Sequence, residues 1–139
     1  MNDANRQSVI FQDLEEKPVH IAFDEPMTSS DGGAILLKSV DARVGLTQRL
    51  AECFADPRAP GKVSHTIEEM LRQRVFGLAC GDSDTNDAAR LAEDPVHKMI
   101  VGRDPVDGAN LASQPTLCRL ENNARSVDFT AWEGLSRIR

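Results

Sequence analysis

A capped helix near the middle of the chain limits its fold more than any other feature. Thr66-Ile67-Glu68-Glu69 has the form of a capping box. The Thr hydroxyl accepts from the backbone N–H of Glu69, and the Glu69 side chain reaches back to the N–H of Thr66. Ile67, Met70, Leu71, Val75 and Leu78 follow as one apolar stripe at helical spacing, with Glu68, Glu69, Arg72 and Gln73 mostly away from it. Gly81 ends the run. The fold must therefore bury one face of a long helix.

The flanking sequence supplies shorter helices to do so. Ser29-Ser30-Asp31-Gly32-Gly33 is a turn with Ser30 or Asp31 as N-cap, and a helix is expected over 33–43. Its Ile35, Leu36, Leu37 and Val40 cover a wide face, and Gly45 suits the position just past its end. Leu46, Leu50 and Phe54 repeat every fourth residue in a second helix over 47–55, before a rigid loop at 56–61. Beyond the central helix, short helices are expected over 86–92 and 95–101, the latter with Pro95 in its first turn. A last one runs from Ser113 or Gln114 to about Asn122. At the N-terminus, Val19, Ile21 and Phe23 alternate with His20, Ala22 and Asp24 as a short strand that Pro26 ends, and Val9 and Phe11 offer a weak partner. The expected fold is mostly α, several short helices with a small N-terminal β element. A polar segment (1–18) precedes a helical region (19–122) and a tail (123–139) with periodicity only around Trp132, Leu135 and Ile138.

Composition narrows the function. The 139 residues suit one domain or part of a larger one, and 4% aromatic content leaves the core to aliphatic side chains. A net charge of −6 argues against a free-standing nucleic-acid binder. The acid is uneven, however. Residues 81–110 carry seven acidic and three basic side chains, whereas 111–139 carry three and four, so a local basic surface remains open. Cys53, Cys80 and Cys118 form no Cys-x-x-Cys pair and, with no signal peptide, read as reduced thiols in a cytoplasmic protein. No apolar run approaches the ~18 residues that span a membrane.

The turn after the central helix is the richest in acid. Asp82-x-Asp84-x-Asn86 matches the first three ligand positions of an EF-hand loop, and Glu93 falls at its twelfth. Position six, which needs a residue at positive φ, is Asp87 rather than Gly. The alternatives are helix capping, with Asp84 or Asn86 opening the next helix and Asp94 the one after, or a docking or DNA-positioning role. His20, His65 and His97 have no helical spacing to one another or to a Cys, so no metal ligand is assigned. No serine lies in a hydrolase elbow, and Asp31-Gly32-Gly33 lacks the Lys and spacing of a phosphate loop. Arg58, Lys62, Arg72 and Arg74, on or beside the central helix, are the candidate phosphate contacts, although Arg72 and Arg74 point about 200° apart.

Several stretches then form a recognisable series. They are Thr-Ser-Ser-Asp-Gly-Gly-Ala-Ile-Leu-Leu at 28–37, Asp56-Pro57-Arg58, Leu71-Arg72-Gln73-Arg74-Val75, Cys80-Gly81, Asp84, Asn86-Asp87, Leu91, Asp94-Pro95, and Ala-Ser-Gln-Pro-Thr-Leu-Cys-Arg-Leu-Glu-Asn at 112–122. In this order and spacing the chain resembles the N-terminal portion of bacterial DDE transposases of the insertion-sequence 1380 family. That family typically has an aromatic residue at position 82 and needs no Glu at 93, which weakens the calcium reading. The resemblance implies an RNase-H-like core elsewhere, in which three acids hold two divalent metals, such as magnesium, for phosphoryl transfer. The Leu-Asp-x-Asp motif that begins that acid set does not occur here. No catalytic residue is therefore carried over and no cofactor is expected in this chain; the stretch 123–139 is read as a tail divergent from the family pattern, with truncation or a frameshift as the expected cause. The implied role is recognition of the element's terminal inverted repeats or packing on the core, with DNA and full-length transposase as partners. The alternative is a standalone helical DNA-binding or regulatory protein that inhibits a full-length transposase.

Overall fold

The computed structural model describes residues 29–123 together with Val19. Among these residues the fold is mostly helical. Six α-helices follow in order: α1 (Ala34–Val44), α2 (Leu46–Glu52), α3 (Ile67–Cys80), α4 (Ala88–Leu91), α5 (Pro95–Ile100) and α6 (Gln114–Asn123). Single 3-10 turns at Pro60–Lys62 and Thr85–Asp87 lead into α3 and α4. The expected N-terminal β element lies outside the described residues except for Val19, which is buried and in a β-bridge.

α3 is the spine. Its capping box forms as the sequence predicts: the Thr66 hydroxyl accepts from Glu69 N at 3.1 Å, and Glu69 Oε2 accepts from Thr66 N at 2.8 Å. Gly81 closes it at φ 103°, a conformation that a side chain would strain. One side of α3 packs Met70 and Leu71 against Ala88, Ala112, Leu117 and Leu120, with Leu50, Phe54 and Ile67 at the margin. On another side Phe76 packs with Ala34, Ile100, Val101 and Leu111. The two clusters draw α1, α2, α5 and α6 around one helix.

Three local expectations need correction. The buried face of α3 is rotated from the predicted stripe: Gln73 is buried among apolar neighbours, whereas Leu78 is exposed. The Gln73 amide satisfies the backbone of Ala112 in both directions, which offsets its burial. On α1, Ile35 is buried but Leu36 and Val40 face water. Nor is α1 capped by Ser30 or Asp31. Its N-cap is Gly33, without a side-chain cap, because Asp31 is engaged by His97 instead.

The helices are joined by polar pins. Gly45, at φ 66°, ends α1 and opens α2, and its own N–H reaches Asp41 O. Lys38 Nζ donates to Met99 O at 2.8 Å, placing a cation at the negative end of α5. Arg103 crosses from the loop after α5 to the entry of α3, donating to Ser64 O and His65 Nδ1 and pairing with Glu69. In that loop Gly108 lies so close to Asp104 that an added Cβ would sit 2.2 Å from its carbonyl oxygen.

Candidate functional site

The acidic turn between α3 and α4 is built from caps. Asp84 accepts from Asn86 N at 3.0 Å and opens the 3-10 turn. Asp94 accepts from Val96 N and His97 N and opens α5. Asp94 takes the capping role that the sequence offers it, whereas Asp84 caps the 3-10 turn that leads into α4, whose own N-cap, Asp87, makes no side-chain bond. The calcium alternative fails on geometry. Asp87 stands at φ −67°, so the sharp turn of an EF-hand loop is not made. Its would-be ligands face different partners: Asp82 pairs with Arg90, Asn86 Oδ1 accepts from Gln114 at 2.6 Å, and Glu93 accepts from Asn110.

The four basic candidates do not form a single patch. Arg58 folds back on Asp56 through two bonds of 2.6 Å and donates to His65 O at 3.0 Å. Arg72 lies against Glu68, Asp41 and Thr47. Arg74, on the other side of α3, pairs with Glu121 and donates to the carbonyls of Asp82 and Ser83. It thereby fastens α6 and the acidic turn to the spine. Lys62 is exposed on the 3-10 turn before α3. Arg58 also lines a cleft of about 200 Å³ with Phe54, Met70, Leu120 and Arg119. Nothing in the sequence singles out Arg119 except its place after the Pro-Thr-Leu-Cys run.

No spacing links position 103 to 65–69, so the junction of Arg103, His65 and Glu69 is not legible in the sequence. Burial, then the charge of Arg103, lowers the His65 pKa, with Glu69 opposing and Arg58 adding to the decrease. Glu69 is also lowered: burial acts to raise it, but its bonds from Thr66 N and Arg103, and the charges of Arg103 and His65, outweigh that. A depressed folded pKa stabilises the fold above the unfolded value, and this stability is lost as pH falls through the folded value. For His65 the loss begins below about 6.5, and for Glu69 only in stronger acid. A melting series from pH 7.5 to 5 should therefore show a fall on the order of a few degrees. The fall should be smaller in His65→Gln; an equal fall in that variant would remove His65 as its source.

Among the described residues no three carboxylates come together. The one group of three His, Cys, Asp or Glu side chains close enough to share an ion mixes an acid with a thiol and an imidazole. An all-carboxylate two-metal centre of the kind that moves phosphoryl groups does not fit these residues. No helix among them is long and apolar enough to cross a membrane.

A family model described as transposase DDE domain group 1 matches residues 11–137. The chain belongs to this transposase family. The match covers α1 to α6 and continues across the tail beyond them, which supports a role linked to DNA transposition. DDE transposases work with divalent metal and DNA, so both belong to the family's chemistry even though the described residues assemble no carboxylate site for the metal. Neither the curated proteins nor the solved structures give a match.

Proposed function

We propose that this chain is the helical, non-catalytic N-terminal region of a DDE transposase, of the insertion-sequence 1380 type, acting in the cytoplasm. Its main task is to pack on the catalytic core through α1. One observation carries this reading. Leu36, Val40 and Val44 stand at i, i+4 and i+8 on α1 and remain 55%, 58% and 44% exposed. Covering a large aliphatic side chain stabilises by roughly 1.5–3 kcal/mol, so a stripe of three suits a partner surface. The catalytic core is the fitting occupant, because the family's chemistry needs acids that the described residues do not bring together.

DNA contact is the subsidiary part of the proposal. Arg58, Arg72 and Arg74 already hold carboxylates or carbonyls. Lys62 is exposed and nearest to an unobstructed phosphate contact.

The test uses the purified chain and a full-length family transposase. The chain should associate with the enzyme, and Leu36→Asp/Val40→Asp should weaken association by about tenfold or more while leaving the thermal midpoint nearly unchanged. Undiminished association would overturn the packing role. A gel shift on inverted-repeat DNA at ~50 and ~200 mM salt separates the second reading, a regulator that competes for the element's ends. A strong, salt-steep shift by the chain alone, together with intact binding by the double variant, would favour the regulator.

A further inference from the structure

Asp31, Cys80 and His97 come from three separate segments of the chain. Asp31 precedes α1, Cys80 is the last residue of α3, and His97 lies within α5. One ligand atom from each falls within 4.8 Å of the other two. His97 is fully buried, and its Nε2 lies 2.9 Å from Asp31 Oδ2. Its other ring nitrogen, Nδ1, is buried without a hydrogen-bond partner. The nitrogen that faces Asp31 is Nε2, so Nε2 is the ligand atom of the trio, and an ion there would replace its bond to Asp31 and leave the ring proton on Nδ1. Burial, and then the charges of Asp31, Asp82 and Asp94, push the Cys80 thiol up.

We propose that Asp31, Cys80 and His97 bind one zinc ion that clips the entry of α1, the end of α3 and α5 together. The donor set selects the metal. A thiolate with an imidazole and a carboxylate suits zinc, whereas magnesium and calcium prefer oxygen alone. Bond lengths of about 2.0–2.3 Å place tetrahedral ligand atoms roughly 3.3–3.8 Å apart, which the trio reaches with small side-chain shifts. Three protein ligands leave a fourth position to water. Binding balances simply: zinc displaces the Cys80 thiol proton to solvent, the imidazole coordinates in its neutral form, and no redox change occurs. This ion is distinct from the magnesium of transposition chemistry, and it departs from the sequence expectation that no metal ligand is present.

Cobalt substitution tests the assignment on the full chain. One equivalent of Co²⁺ should give the visible bands of a four-coordinate site and a near-ultraviolet thiolate-to-cobalt band. Zinc should bleach both, and a large excess of magnesium should not. Cys80→Ser should abolish the thiolate band and weaken zinc binding by about 100-fold or more, beyond the ~10–100-fold typical of residues that only support a ligand. Cys53→Ser and Cys118→Ser should keep the band. His97→Gln tests the buried ligand, and Asp31→Asn, at a less buried position, covers the case in which that variant does not fold. Zinc should raise the thermal midpoint of the wild type but not of Cys80→Ser. The proposal is overturned if cobalt gives no thiolate band, if the band survives in Cys80→Ser, or if zinc leaves the wild-type midpoint unchanged.

Discussion

Replacing Asp41 by Ala is expected to destabilise the fold by about 3–4 kcal/mol. The carboxylate is buried where α1 meets α2, and it does the work of a cap that α2 lacks. Gly45 is the N-cap of α2 and has no side chain to offer. Asp41 reaches over from the previous helix instead, accepting from Thr47 N at 2.9 Å and from Thr47 Oγ1 at 2.5 Å. Arg72 Nε completes the junction, 3.4 Å from Asp41 Oδ2 and 3.1 Å from Thr47 Oγ1. Alanine would leave the N–H of a fully buried residue without its acceptor and the Arg72 guanidinium without one of its two carboxylates. It would also remove a negative charge from the positive end of a helix. Asp41→Asn should cost less, since one acceptor survives. Urea unfolding of the two variants and of Thr47→Val measures this directly. A loss below about 1 kcal/mol for Asp41→Ala would show that the junction holds without its carboxylate.

The features that the sequence revealed are those whose partners lie within a turn. The Thr66–Glu69 box, the stops at Gly45 and Gly81, and the Asp94-Pro95 start all depend on bonds between near neighbours, and each is found where expected. What escaped depends on distant partners. The α1 sequence offers apolar residues on more than one face, and only the packing of α3 and α5 against Ala34 and Leu37 decides that Leu36 and Val40 are left to water. Asp41 reads as an ordinary mid-helix acid until α2 turns Thr47 onto it. The acidic turn misled in the opposite way. Its spacing fits calcium, but Arg90, Gln114 and Asn110 engage three of the would-be ligands. Arg58, Arg72 and Arg74 are likewise charges whose neighbours had already been fixed by folding. His97 and Asp31, 66 positions apart, carry no shared spacing that a motif search would register.

Gln73 is the residue at which this difference is largest, and its replacement by Ala should cost about 2–4 kcal/mol. It stands within the predicted polar part of α3, yet it is buried, and its amide behaves as a single rung of a sheet. Nε2 donates to Ala112 O at 2.9 Å, and Oε1 accepts from Ala112 N at 3.0 Å. Leu111 N bonds Ala92 O at 3.0 Å, so the segment entering α6 is held on successive residues by α3 and by the end of α4. Removing the amide strands both polar groups of Ala112, each costing roughly 1–3 kcal/mol when buried unpaired. Gln73→Leu separates bonding from volume. Leucine nearly fills the space but pairs with neither group, so its loss should approach that of Ala; near-wild-type stability for Leu would mean that packing alone fixes the segment. Hydrogen exchange gives an independent measure. In either variant the Ala112 amide should lose protection well before Met70 or Leu71, because the damage begins where α6 joins the spine and not along α3 itself.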